Sequence, residues 1–269
     1  MVRVGVLGAG GRMGQEVCRA VTADPDLELV AAVDPRLAGI DLRQVTGSDV
    51  AGIQVGAGLD DLGRADVEVA VDFTAATSAV THMRWCAANA VHCVVGTTGI
   101  AEATLTELAA AFDASAANCV VAANFAIGAV LMMRLAELAA PFVDGVEIVE
   151  LHHDAKSDAP SGTALTTAQR LAAARSGSGA APWPEDRTTA AVVPGARGAV
   201  GPGGIHIHSV RLPGLVAHQE VILGAPGQSL SLRHDAYNRS SFMPGVLLAV
   251  KEVAGRPGMT TGLDALLGF

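Results

Sequence analysis

The chain has 269 residues, half of them hydrophobic and only 3% aromatic, with a formal charge of -9 at pH 7. That length fits one large domain or two of about 150 residues each. The acidic balance argues against nucleic acid and anionic membrane surfaces as main partners, because a net negative field repels both.

Residues 2–7 predict a buried strand, followed by a glycine cluster and a helix over about 15–23. A second strand covers 27–33 and ends at Asp34. Residues 35–66 are rich in Gly and Asp and give no ordered reading. Strands at 67–73, 91–95 and 118–123 alternate with helices at about 76–89 and 102–116. Such alternation implies a parallel sheet covered on both faces.

The rhythm changes after Asn124. An apolar helix pattern covers 127–143, a strand over 146–153 carries two adjacent histidines, and a helix follows over 162–175. Residues 176–204, rich in Gly, Ala, Pro and Ser, predict a long mobile loop. Three strands near 205–212, 215–223 and 228–235 are joined at Pro213-Gly214 and Pro226-Gly227, which predicts antiparallel neighbours. A helix near 240–254 and a Gly-rich tail close the chain. The fold class is therefore α/β: a Rossmann-like doubly wound parallel sheet, then an α+β domain on a mixed, largely antiparallel sheet.

No window reaches the roughly 18 uninterrupted apolar residues of a membrane helix. The start shows no basic region, apolar run and cleavage site in order. Cys18, Cys86, Cys93 and Cys119 lack CxxC or zinc-ligand spacing. They read as buried thiols in a reducing compartment, so a cytoplasmic protein is expected. His206 and His208 share a strand face, but no third ligand accompanies them and no metal is expected.

The cluster Gly8-Ala9-Gly10-Gly11-Arg12-Met13-Gly14 sits between a strand and a helix. Glycines there permit a tight turn and a close backbone approach to a pyrophosphate. Asp34 ends the next strand about 20 residues on, where an acid can bind the adenosine ribose hydroxyls. It opposes a 2′-phosphate, while Arg12 and Arg36 offset that repulsion, so NADH or dual use with NADPH is expected. Gly96-Thr97-Thr98 and Ala122-Ala123-Asn124-Phe125 follow later strands on the same expected rim. A plain strand-to-helix turn would also use such glycines, but the acid would then be unexplained.

The segment from Glu150 to Ala164 concentrates chemistry. His152 and His153 can exchange protons near neutral pH, and Lys156 adds positive charge. Neighbouring strand residues point to opposite faces, so the two histidines can share a site only where the strand ends. Ser161-Gly162-Thr163 opens a helix, whose first N–H groups can cap themselves or hold a carboxylate.

With these pieces in place, the chain resembles the dihydrodipicolinate reductase (4-hydroxy-tetrahydrodipicolinate reductase) family of lysine and diaminopimelate biosynthesis. The matching elements are Gly8–Gly14, Asp34, Gly96–Gly99, Ala122–Phe125, Glu150–Ala164 and the run Arg239–Gly245. The resemblance implies a homotetrameric NAD(P)H-dependent reductase acting on a small dicarboxylate heterocycle. It implies a dinucleotide-binding domain from 1–125 and 240–269, with a substrate-binding and oligomerisation domain from 126–239. By that match His152 and Lys156 are catalytic, and His153, Ser161, Gly162 and Thr163 contact substrate. Gly8 to Met13, Asp34, Gly96 to Thr98 and Ala122 to Phe125 contact cofactor. Pro35 stands where many members have Arg, which argues against strong NADPH binding. Ala217-His218-Gln219-Glu220 replaces the family's Gly-Glu-His-Thr, and neither His218 nor Glu220 inherits a role.

A semialdehyde or homoserine dehydrogenase is one rival reading. An acylating version needs a nucleophilic cysteine in a polar loop, and these cysteines lie in apolar runs. A non-catalytic NADH sensor is the other, and it would bind cofactor without turnover.

Overall fold

The computed structural model describes residues 1–47 and 52–269. The chain forms two compact units, residues 1–125 with 242–269, and residues 126–241.

The first unit holds six parallel strands in the order β11-β5-β4-β3-β1-β2. They are β1 (Val2–Leu7), β2 (Leu27–Val33), β3 (Val69–Asp72), β4 (His92–Val95), β5 (Cys119–Val121) and β11 (Met259–Thr261). Its longer helices are α1 (Arg12–Ala23), α4 (Ala76–Ala88), α5 (Glu102–Asp113) and α8 (Met243–Glu252). Strands of a sheet covered on both faces read as continuous apolar runs, as in β3, where all of Val69–Asp72 is buried. Met83, Leu108 and Phe112 pack against these strands. Each such fully buried side chain contributes roughly 1.5–3 kcal/mol. Leu7, Asp72, Val95 and Val121 are successive partners in register. The loops that follow them therefore leave the sheet along one rim.

Three features of this unit differ from the sequence reading. The helix after the glycine cluster starts at Arg12, not near residue 15, because Gly14 lies inside its first turn. Residues 35–66 contain α2 (Leu42–Thr46) and α3 (Asp60–Arg64), five residues each and too short to show a 3.6-residue period. The Gly-rich tail contributes β11, which pairs with β5 and extends the sheet.

The second unit contains α6 (Ile127–Ala139), β6 (Gly145–His152), α7 (Gly162–Gly177), β7 (Ala199–Val200), β8 (His206–Arg211), β9 (Ala217–Ala225) and β10 (Gln228–Ala236). Pro141 follows α6, whose last residues tighten into a 3₁₀ turn over Ala140–Phe142. The sheet order is β10-β9-β6-β8-β7. Only β6 and β8 are parallel; the other pairs are antiparallel. The expected β8–β9 hairpin across Pro213-Gly214 does not form, because β6 lies between them. The hairpin across Pro226-Gly227 does form. Along β6, Val146, Ile148 and Glu150 are buried on one face.

The loop after α7 is anchored rather than loose. Trp183 Nε1 donates to the Val143 carbonyl at 3.2 Å, and the Arg175 guanidinium stacks 4.9 Å from the Trp183 ring. Arg197 pairs with Glu147 and Asp186. No described helix is long and apolar enough to cross a membrane.

Candidate active site

The glycine cluster makes a cradle from backbone alone. Gly8 has φ +76°, a left-handed conformation that a side chain would strain. Its carbonyl accepts from Gly11 N–H at 2.9 Å. A Cβ on Gly14 would collide with that same Gly8 carbonyl, so α1 can pack this close only with glycine. Gly11 caps the helix without a side-chain bond, leaving its first N–H groups pointing outward. Ala9 is buried, Arg12 exposed and Met13 half-buried.

Asp34 is 2% exposed, and its carboxylate is already engaged. It accepts from Gly10 N–H at 3.1 Å and from Arg36 N–H at 3.1 Å. The Arg36 guanidinium binds it at 3.2 Å through both Nε and Nη2. Burial would raise its pKa, but the Arg36 hydrogen bonds outweigh burial and hold it below the usual carboxylate range. Gly8, Gly11, Asp34, Arg36, Thr74 and His82 line a cleft of about 380 Å³. A glycine cradle, outward N–H groups and an acid at the next strand end fit a dinucleotide.

On the same rim, Gly96 leaves room for the Phe73 ring, which a Cβ there would strike. Phe73 packs tilted on Phe125, ring centroids 5.7 Å apart. Thr97 Oγ1 donates to the Thr74 carbonyl at 2.9 Å, while Thr98 is exposed. Ala122 and Phe125 are buried, Ala123 is exposed and Asn124 half-buried. These segments follow the carboxyl ends of β4 and β5, beside the cradle after β1. Nothing in the helix pattern singles out His82, whose Nδ1 lies 2.6 Å from Asp72 Oδ2.

In the second unit the chemistry gathers where β6 ends. His152 is the last strand residue, and His153 lies just beyond it. His152 Nδ1 lies 2.5 Å from Glu150 Oε2. Glu150 is wholly buried, and Arg211 grips it in a fork, Nη1 to Oε2 and Nη2 to Oε1, both at 2.8 Å. Ser161 N–H donates to Glu150 Oε1 at 3.2 Å. Burial alone would raise the Glu150 pKa, but hydrogen bonds from His152 and Arg211 reverse this and bring it to about 2. Arg211 was not singled out from the sequence. Only register places it opposite His152, across the parallel β6–β8 pair.

Ser161 caps α7, its Oγ accepting from Ala164 N–H at 3.2 Å. Gly162 is exposed with open space beside it, and Thr163 is half-buried. Lys156 Nζ binds Asp158 at 2.7 and 2.8 Å, and its N–H donates to the His153 carbonyl. Arg211 Nη2 also donates to the Asp158 carbonyl at 2.7 Å, tying that loop to β8. The structure thus joins His152 to Ser161 directly through Glu150, and links Lys156 to them through Asp158 and Arg211.

Three further histidines have partners of their own. His208 Nε2 meets Glu147 at 2.7 Å, and His206 Nδ1 meets the Arg197 carbonyl at 2.6 Å. His218 Nδ1 meets Asp235 at 2.7 Å. Among the described residues no group of three His, Cys, Asp or Glu is placed to hold a metal ion.

Comparison with known proteins identifies the family. Residues 2–125 match the family model for the dihydrodipicolinate reductase N-terminus, and 128–267 match that for its C-terminus. A 4-hydroxy-tetrahydrodipicolinate reductase of Streptomyces coelicolor is 46% identical over 99% of this chain and 98% of that protein. One from Cutibacterium acnes is 47% identical over the whole of both chains. A dipicolinate-bound dihydrodipicolinate reductase from a Paenisporosarcina species superposes with TM-score 0.84 at 40% identity, covering 98% of this chain and 99% of that one. The chain therefore belongs to the dihydrodipicolinate reductase family of pyridine-nucleotide-dependent enzymes.

Proposed function

We propose that this protein reduces 4-hydroxy-tetrahydrodipicolinate to tetrahydrodipicolinate in lysine and diaminopimelate biosynthesis. The observation that carries the reading is His152, held at a strand end by a buried carboxylate that also bonds the start of α7. On this reading residues 1–125 and 240–269 bind the nucleotide, and 126–239 bind substrate and form a homotetramer. Exposed apolar side chains of the second unit, such as Ile222, Leu230 and Phe142, support association. A cytoplasmic location accords with the four free cysteines.

The cradle from Gly8 to Met13 holds the pyrophosphate, and Asp34 meets the adenosine ribose. Gly96 to Thr98 and Ala122 to Phe125 border the nicotinamide end. The 4-hydroxyl must first leave as water to give a conjugated ring, and the reduced nicotinamide, when bound, would supply the hydride that this ring accepts at C4. His152 and Lys156 serve the proton that must arrive elsewhere in the ring, and the Lys156 ammonium attracts the dianionic substrate. His153, Ser161, Gly162 and Thr163 hold its carboxylates, with open space at Gly162 for one of them. Asp34 opposes a 2′-phosphate and so favours NADH, and Arg36 neutralises part of that charge, so NADPH is accepted. NADH oxidation on adding freshly made dihydrodipicolinate synthase product tests the reading, and NADH binding without turnover would refute it. A preference for NADPH of more than about a hundredfold would overturn the cofactor assignment.

A further inference from the structure

Glu150 occupies a β6 position in line with buried Val146 and Ile148, where packing alone calls for an apolar side chain. A buried carboxylate there is costly unless it is paired and hydrogen-bonded. Its oxygens serve different neighbours. Oε2 takes His152 and one Arg211 nitrogen; Oε1 takes the other Arg211 nitrogen and the Ser161 N–H. Arg211 in turn holds the loop that carries Lys156, through the Asp158 carbonyl. Arg211 Nε lies buried without a hydrogen-bond partner, so the guanidinium is oriented for this fork at the expense of its own satisfaction.

We propose that Glu150 and Arg211 are a positioning pair that sets both the proton donor and the carboxylate-holding helix start. The inference rests on the role given above to His152. Glu150 accepts a hydrogen bond from Nδ1–H of His152, so Nδ1 keeps its hydrogen and Nε2 is the nitrogen that faces the substrate and carries the exchanged proton. Arg211 keeps Glu150 ionised and fixed, so the carboxylate does not take up the proton that His152 must deliver. The same carboxylate pins Ser161 N–H and thereby the direction of the following N–H groups of α7. Neither residue needs to touch the substrate. The charged groups facing His152 in this cluster are Glu150 and Arg211, with Lys156 and Asp158 on the adjoining loop.

Glu150→Gln keeps the shape and one acceptor oxygen but removes the charge. It is expected to lower kcat about tenfold to a hundredfold, with KM for substrate changed only a few fold. In Glu150→Gln/His152→Gln the loss equals that of His152→Gln alone, since one residue acts through the other. Losses that multiply, or an unchanged kcat in Glu150→Gln, would overturn the proposal. Arg211→Lys keeps the charge and loses the fork. It gives a smaller loss of the same kind and serves if Glu150→Gln does not fold. Nitrogen-15 spectra of histidine-labelled protein read the His152 tautomer without turnover. Nδ1-protonated His152 in the native protein and a mixture in Glu150→Gln are expected; native His152 protonated at Nε2 would overturn the positioning role. The expected tautomer in a protein that does not turn over substrate would sink the functional reading alone.

Discussion

On the proposed function the rim of the first sheet and the end of β6 would meet the same problem, holding an anion, by opposite means. The rim uses backbone: a left-handed Gly8, a helix start at Gly11 and a contact at Gly14 that excludes any Cβ. The β6 end uses side-chain charge: a buried carboxylate, a guanidinium fork and an imidazole. A backbone cradle is indifferent to pH and intolerant of added atoms. A charge cluster tolerates small changes of shape but depends on every proton. Binding a coenzyme that must come and go suits the first, and moving a proton suits the second.

The sharpest way to break this contrast is His152→Gln. It should lower kcat by about 10²–10⁴-fold while moving KM little, as steady-state kinetics would measure. An unchanged kcat would remove the β6 end from the chemistry. Acid titration comes next. The Glu150 pKa is depressed to about 2 in the folded protein, so its contribution to stability is full above the unfolded value, about 4.3. That contribution, on the order of 3 kcal/mol, is lost as pH falls from there towards 2. Denaturant midpoints against pH should lose this slope in Glu150→Gln; parallel curves would mean the carboxylate is not coupled to folding.

Gly14→Ala tests the other side of the comparison. Overpacking against the Gly8 carbonyl should cost about 1–3 kcal/mol and weaken NADH binding at every pH. A loss confined to low or high pH would blur the distinction between the two regions. Lys156→Ala should damage both kcat and KM, roughly tenfold in kcat/KM, since its ammonium is already shared with the exposed Asp158. The smallest effect belongs to Trp183→Ala. It should speed amide exchange in the loop after α7 while shifting the melting temperature by only a few degrees.

Much of this organisation is legible in the chain. Parallel strands covered on both faces read as plain apolar runs, so β1, β2, β3 and β4 stand out. The His-His-Asp segment announces itself by composition, and the strand end that separates the two histidines follows from side-chain alternation. The short α2, α3 and β11 leave too few residues for a period to show. Arg211 was illegible for a different reason. Its partner Glu150 is 61 residues away, and only the parallel β6–β8 register brings them together. From the sequence Asp34 is an acid awaiting a ribose, whereas its bonds to Gly10 and Arg36 also make it a brace for the cradle.

The insertion of β6 between β8 and β9 also bears on how the polypeptide reaches its native state. The β9–β10 hairpin can zip locally, but β8 cannot join the assembled strands until β6, made much earlier, has docked beside β9. Such distant closure slows a pathway more than it weakens the product. Pulse-labelled exchange during refolding should therefore find the amides of β8 shielded after those of β9 and β10, and the reverse order would discount this route.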